Sequence, residues 1–353
     1  MLVHDLVFQG KSSDVAFRTA SQITYECFQQ QYRNYRNYFH QQGIGPGQNI
    51  GLFSRNSAEY VYCYMALSSL GAVVVPLNFQ LTGREIAYIV KDSEMTHLIS
   101  METLDLDVAV KQLIIADFSA VIIEKNLDQA PEYTDINENT PCVIIYTSGT
   151  TGNPKGAILT HGNLVSNVAA FRAALPPTSS ADNILCGLPM YHCFAWTCAV
   201  LYPLSVGASI TILEAFAPKE TFAAIKEKQV TVVFGVPPMY NYLSRIGEAE
   251  DLRSVRVFVS GGAALPQKVA AAFQQKYGTP ILEGYGLSEA SPVVALNPSH
   301  KTKFCSIGRA LPGLSVRVVN SRGETLPPGE VGELIVQGPS GMRGYYNLPR
   351  ETS

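Results

Sequence analysis

The stretch Cys142–Gly156 reads CVIIYTSGTTGNPKG, an apolar run that empties into hydroxyls and glycines and closes on Lys155. Val143–Tyr146 has the texture of a short buried strand, and a strand feeding a Gly-rich loop is how α/β proteins bring backbone N–H groups to a phosphate. Gly149 and Gly152 permit close backbone approach, Thr147, Ser148, Thr150 and Thr151 offer hydroxyl donors, and Lys155 supplies a positive point charge. The Walker spacing GxxxxGK[ST] is absent, because Pro154 precedes the lysine and Gly156 follows it. The loop is therefore read as a phosphate cradle distinct from the NTPase P-loop.

Outward from this loop, short strands alternate with helical patterns, which predicts an α/β fold with largely parallel sheets. Upstream, a hairpin is expected around Val15–Thr24. Aromatic residues at 25, 28, 32, 35 and 39 then mark one face of a helix. The same segment contains YRNYRNYF, which reads as a core-facing amphipathic helix in preference to a basic-aromatic nucleic-acid surface. Strands follow at Asn49–Ser54, in GAVVVPLN and at His97–Ser100, with helices at Ser57–Leu70 and at Thr82–Ser93, capped by Thr82. Downstream, helices are expected at His161–Leu175, Pro218–Lys228 and Pro266–Tyr277, with strands in VTVVFGV, RVFVSGG and PILEGYG. From about Ile307 the texture changes to strands and Gly/Pro turns, predicting a small antiparallel sheet or barrel.

Composition bounds the rest. The 353 residues allow two or three domains at roughly 150 residues each. With 46% hydrophobic and 16% charged residues the chain is an ordinary globular one, and its net charge of −3 gives no basic field for nucleic acid or anionic membrane. Seven scattered cysteines without zinc-like spacing indicate reduced thiols in a cytoplasmic protein. The N-terminus lacks the pattern of a signal peptide. An uncharged run from Cys193 to Leu213 is long enough to span a bilayer, but Pro203, Gly207 and several Ser/Thr interrupt it. It reads as a buried helix turning into a strand at Ala208–Leu213.

YTSGTTGNPKGAILTHGN resembles the phosphate-loop signature of the adenylate-forming enzymes, the superfamily of acyl-CoA synthetases, luciferases and adenylation domains. SGGAALP (Ser260–Pro266), EGYGLSEASPV (Glu283–Val293) and GELIVQGPSGMRGYYN (Gly332–Asn347) follow in that family's order, so the likeness runs over essentially the whole chain. It implies two α/β subdomains with mixed, largely parallel sheets in αβαβα layers, over 1–140 and 141–300, and a partial β-barrel-like subdomain over 301–353. The family's later motifs are not found, which implies an N-terminal portion without the C-terminal lid domain, active poorly by itself.

The resemblance also implies chemistry: a carboxylate attacks the α-phosphorus of ATP, releasing pyrophosphate, and a thiol, usually coenzyme A, then displaces AMP. Thr147–Gly152 and Lys155 would hold the β- and γ-phosphates. Tyr285 would stack on adenine, Ser288 would contact the α-phosphate, and Glu289 would bind Mg²⁺. Gly261, Gly262, Ala263, Glu283, Gly284 and Gly286 would line the nucleotide and acyl sites. His192 would lie between the carboxylate and thiol sites. Trp196 reads either as a tunnel gate or as core, and Val236 as an apolar wall. LPMYHCFAWT holds no acidic residue to pair with an ammonium, which disfavours an amino-acid substrate. The expected substrate is a medium- or long-chain fatty acid, with an aryl acid second. Further alternatives are a ligase serving a carrier protein and a non-catalytic acyl- or nucleotide-binding module. A homodimer is compatible with this class.

Overall fold

Two parallel-centred sheets organise the chain, and the opening strand of the glycine-rich stretch belongs to the first. The computed structural model describes residues 1–124, 128–147 and 154–352. In chain order, β1 (Val15–Arg18) and β2 (Gln22–Thr24) precede α1 (Tyr25–Gln41), β3 (Asn49–Phe53), α2 (Ala58–Ser69), β4 (Val73–Pro76) and α3 (Gly83–Asp92). Next come β5 (His97–Ser100), β6 (Lys111–Ile114), α4 (Ile115–Glu124), β7 (Pro141–Thr147), β8 (Lys155–Thr160), α5 (His161–Ala174) and β9 (Asn183–Cys186). A continuous helical segment comprises α6 (Cys193–Ala195), a π-helical turn (Trp196–Leu201) and α7 (Tyr202–Ser205), and runs on to β10 (Ser209–Ile212). The remainder is α8 (Pro218–Lys228), β11 (Val232–Gly235), α9 (Pro237–Ile246), β12 (Val257–Ser260), α10 (Gln267–Tyr277), β13 (Ile281–Gly286) and β14 (Val293–Leu296). It closes with β15 (Arg309–Ala310), β16 (Ser315–Val319), β17 (Glu333–Gln337), β18 (Gly344–Tyr345) and α11 (Pro349–Thr352).

A seven-stranded sheet has the order β18-β8-β7-β4-β3-β5-β6, and a nine-stranded one the order β15-β14-β13-β12-β11-β9-β10-β1-β2. Their centres are parallel, and antiparallel pairs close the ends β7–β8–β18, β13–β14–β15 and β1–β2. Parallel strands covered on both faces read as continuous apolar runs, and β4 (VVVP), β11 (VVFG) and β12 (VFVS) are each fully buried. Along β4 the side chains alternate: Val73 and Val75 pack with α3 on the outer face, while Val74 joins the central core. That core is filled by α1, α2, α5 and the segment 193–205, and α8, α9 and α10 cover the far face of the nine-stranded sheet. The result is the expected αβαβα layering.

Within the central layer, α2 is buried on every side apart from Glu59. On α1, the aromatic residues at 25, 28, 32, 35 and 39 are all buried, so the periodicity did mark the core face. Arg36 from the same helix is also buried and donates to the carbonyls of Ala130 and Pro131, so it fastens a loop and is not presented to a nucleic acid.

Two expectations change. The sheets are not divided at residue 140: β1 and β2 extend the nine-stranded sheet through the β1–β10 pairing, and β7 and β8 belong to the seven-stranded one. Hydrogen bonding between distant strands outweighs chain order here. Of the small antiparallel sheet or partial barrel expected over 301–353, β16 and β17 make an antiparallel two-stranded ribbon among the described residues, while β15 and β18 join the large sheets. The uncharged run Cys193–Leu213 is a buried helix followed by β10. Among the described residues, no helix is long and apolar enough to cross a membrane.

Candidate active site

Ligands of α/β sheets gather beyond the carboxyl ends of parallel strands, and here β11, β12 and β13 end at Gly235, Ser260 and Gly286. A cavity of about 150 Å³ opens there. Phe171, Phe194, Val259, Val293 and Leu296 form its apolar walls, and Gly261, Gly262, Gly284, Tyr285, Gly286, Ser288 and His192 line the rest. The glycines are where side chains would not fit. A Cβ on Gly261 would meet the Phe194 ring at 3.0 Å, and one on Gly286 would meet the Pro292 carbonyl oxygen at 2.2 Å. Gly262 has a φ of +76°, which favours glycine.

Tyr285 presents its ring to solvent at the cavity, with 36% of its surface exposed. An aromatic face left open beside backbone-only positions has room to stack a planar ligand. Ser260 Oγ is buried in the wall and has no hydrogen-bond partner among the described residues. In a native structure such a group is commonly satisfied by water or ligand.

His192 caps the helix that starts at Cys193: its Nδ1 accepts the Phe194 N–H at 3.2 Å. That bond assigns Nδ1 as acceptor and leaves Nε2 to carry the proton of a neutral ring. The ring lies in a cleft that water reaches, yet surrounding protein desolvates it and lowers its pKa from the ordinary 6.5. Beside it, Cys193 Sγ lies 3.2 Å from Ser288 Oγ, and burial pushes the thiol up to about 11, so it is protonated.

The residues expected to hold phosphates stand at the seam between the sheets. Thr147 and Lys155 pair across β7 and β8, flanking the glycine-rich loop, and Thr147 Oγ1 donates to the Lys155 carbonyl at 3.4 Å. Of the cradle, Ser148, Gly149, Thr150, Thr151 and Gly152 lie outside the described residues. The Lys155 ammonium sits 5.5 Å from the centre of the Tyr345 ring, and Tyr345 Oη donates to Glu289 Oε1 at 2.8 Å. Glu289 thus reaches the lysine's side of the site. No group of three or more His, Cys, Asp or Glu gathers among the described residues. Glu289 is the carboxylate expected to hold Mg²⁺, a hard cation that oxygen ligands of this kind suit.

Some expected site residues stand elsewhere. Glu283 is buried and accepts the Leu265 N–H at 2.8 Å, so it staples the 261–266 loop to β13 and does not line the cavity. Ala263 lies exposed on that same loop, outside the cavity wall. Trp196 is core: its ring packs 4.0 Å from Tyr64 and 5.7 Å from Tyr60 between centroids, away from the cavity. Val236 lines a neighbouring apolar groove of about 290 Å³ with Phe79, Phe216 and Met239. Its Cγ1 lies 3.5 Å from where a Gly262 Cβ would stand, so Gly262 separates the groove from the cavity. Phe171, Phe194, Cys193 and Tyr345 carried no signal of their own in the sequence. Phe194 and Cys193 follow His192 directly, and Tyr345 lies in the motif GYYN, the cue that would have found them.

With this geometry in place, the chain belongs to the AMP-binding enzyme family, whose model matches residues 7–346. It is 32% identical over 336 residues to a feruloyl-CoA synthase of Amycolatopsis sp, covering 94% of this chain and 68% of that one. Identity to a long-chain-fatty-acid–CoA ligase of Bacillus subtilis is 29%, covering 88% of this chain and 64% of the relative. Among solved structures, apo MatB from Rhodopseudomonas palustris superposes with a TM-score of 0.89 at 26% identity, covering all of this chain and 73% of that one. The N-terminal domain of FACL13 from Mycobacterium tuberculosis has a TM-score of 0.90 at 23% identity and shares the fold over 93% of its length.

Proposed function

We propose that this chain carries the adenylation site of an acid–CoA ligase: it binds ATP with Mg²⁺ and a carboxylic acid and joins them as an acyl-adenylate. The observation that carries this reading is that Tyr345 links Lys155 to Glu289, while Tyr285 and Ser288, the latter adjoining Glu289 in the chain, line one cavity. In the reaction a carboxylate oxygen bonds to the α-phosphorus as the bond to the β-phosphate bridging oxygen breaks. Positioning and charge neutralisation carry most of such a step. Lys155 and the cradle would hold the leaving phosphates, Glu289 the cation, and Ser288 the α-phosphate. Tyr285 would stack on adenine. The Nε2–H of neutral His192 would orient the acid's carboxylate without adding charge. Coenzyme A as acceptor is part of the proposal and follows the names of the relatives.

For the acid, we favour a compact aryl substrate over a long alkyl chain. Aromatic walls at Phe171 and Phe194 suit a ring, the half-open space of about 150 Å³ suits a small one, and Trp196 is not among the residues that line it. Ser260 Oγ offers a partner to a polar ligand atom. A medium-chain fatty acid is the second reading, supported by the apolar groove at Val236 beside Gly262. Calorimetric titration of the chain with ATP and Mg²⁺, then with a panel of benzoates, cinnamates and C6 to C16 acids, tests this. Aryl acids should bind tightest. Tighter binding by C12 or longer acids would overturn the aryl assignment, and absence of ATP binding would overturn the whole reading.

A further inference from the structure

Lys155 and Glu289 come from different sheets, and one side chain touches both. Lys155 begins β8 of the seven-stranded sheet, whereas Glu289 follows β13 of the nine-stranded one. Segment 339–345 crosses the seam between them. Asn163 Nδ2 donates to the Pro339 carbonyl at 2.8 Å, Ser291 Oγ donates to the Ser340 carbonyl at 2.8 Å, and the Met342 N–H donates to the Glu289 carbonyl at 2.7 Å. The segment then enters β18, where Tyr345 pairs with Ala157 two residues beyond Lys155. Side chains alternate along a strand, so Tyr346 turns away from the site, where its Oη accepts from Asn49 Nδ2 at 3.1 Å. Tyr345 is thereby aimed at the site and held at both ends, by Glu289 Oε1 at 2.8 Å and by the Lys155 ammonium over its ring at 5.5 Å.

We propose that Tyr345 is a positioning residue of the phosphate–metal corner, its hydroxyl orienting the Glu289 carboxylate and its ring carrying the Lys155 ammonium. The inference rests on reading this corner as an ATP and Mg²⁺ site. A free carboxylate must lose rotamer freedom when it takes up a cation, and a hydroxyl that already fixes one oxygen removes part of that cost. A cation over an aromatic face is held by the ring quadrupole without being neutralised, so Lys155 keeps its charge for phosphate. The two halves of the contact are separable, because phenylalanine retains the ring and loses only the hydroxyl.

The test is equilibrium binding of ATP with and without Mg²⁺, by calorimetry on the full chain. Tyr345→Phe should leave metal-free ATP binding within about twofold and reduce the Mg²⁺ enhancement by roughly tenfold, the loss of one hydrogen bond to a charged group. Tyr345→Ala should in addition weaken metal-free binding several-fold, through Lys155. Combined with Glu289→Gln, Tyr345→Phe should add little further loss, since both act through one carboxylate. An unchanged Mg²⁺ enhancement in Tyr345→Phe, or full additivity with Glu289→Gln, would overturn the proposal while leaving the ATP site standing. Equal losses with and without metal, together with a lowered unfolding midpoint, would also overturn it by assigning Tyr345 to the fold. No ATP binding by the unsubstituted chain would instead remove the underlying reading.

Discussion

A methyl group at position 286 would stand 2.2 Å from the Pro292 carbonyl oxygen, so this glycine is dictated by contact with the β14 side of its hairpin. Gly286→Ala is expected to destabilise the protein by about 2 kcal/mol or more through overpacking, read as a lower denaturant midpoint. Phe194 is the opposite case, a large ring spent on closing space against Gly261. Phe194→Ala should enlarge the acid cavity and shift binding from small aryl acids toward bulkier ones. If the acid panel keeps its order in this variant, Phe194 does not bound the acid. Gly286 lies within the motif Glu283–Val293 and Phe194 two residues after His192, both plain in the sequence. Their roles were not, because a role in a cavity depends on what the facing strand presents.

At the scale of elements, local signals mapped well onto structure. Thr82 caps α3 with Glu85 in a reciprocal box, its hydroxyl accepting the Glu85 N–H at 3.4 Å and its N–H donating to Glu85 Oε2 at 2.8 Å. Thr82→Ala should cost about 1 kcal/mol of stability, measurable in urea unfolding. The five aromatic residues of α1 likewise announced their burial by spacing alone. The uncharged run at 193–213 was harder, because length and hydropathy fit a bilayer span as well as a core helix. It is buried between Tyr60 and Tyr64 of α2 and the strands of the nine-stranded sheet, and a π turn carries it past Trp196. Trp196 could not be assigned from spacing, since a tunnel wall and a core helix present the same apolar surroundings in one dimension.

Across the whole molecule, buried imidazoles set a pH dependence. His161 is fully buried, accepts the Val3 N–H at 3.2 Å and faces His4 edge-on at 5.5 Å. Burial, with His4 adding to it, lowers its pKa from 6.5 to about 3. Between those values the unfolded chain binds more protons than the folded one, so stability falls as pH drops below 6.5 and is unaffected by this group above it. Urea midpoints at pH 7.5, 6 and 5 should decline in that order, and His161→Gln should flatten the decline. An unchanged slope in the variant would assign the acid sensitivity to other groups.

Patterning along the chain by itself determined many of the strands and helices, the α/β class with largely parallel sheets and the glycine-rich motif, because apolar periodicity, capping residues and glycine placement act over a few neighbouring residues. Only the tertiary structure decided that β1 and β2 extend the second sheet while β7 and β8 belong to the first. It alone moved Glu283 out of the cavity wall into a staple for the loop, and Trp196 into the core. It also placed Tyr345 across the seam between Lys155 and Glu289. These are pairings between residues far apart in sequence, fixed by hydrogen bonds and packing between sheets that leave no periodic trace in either partner's own segment.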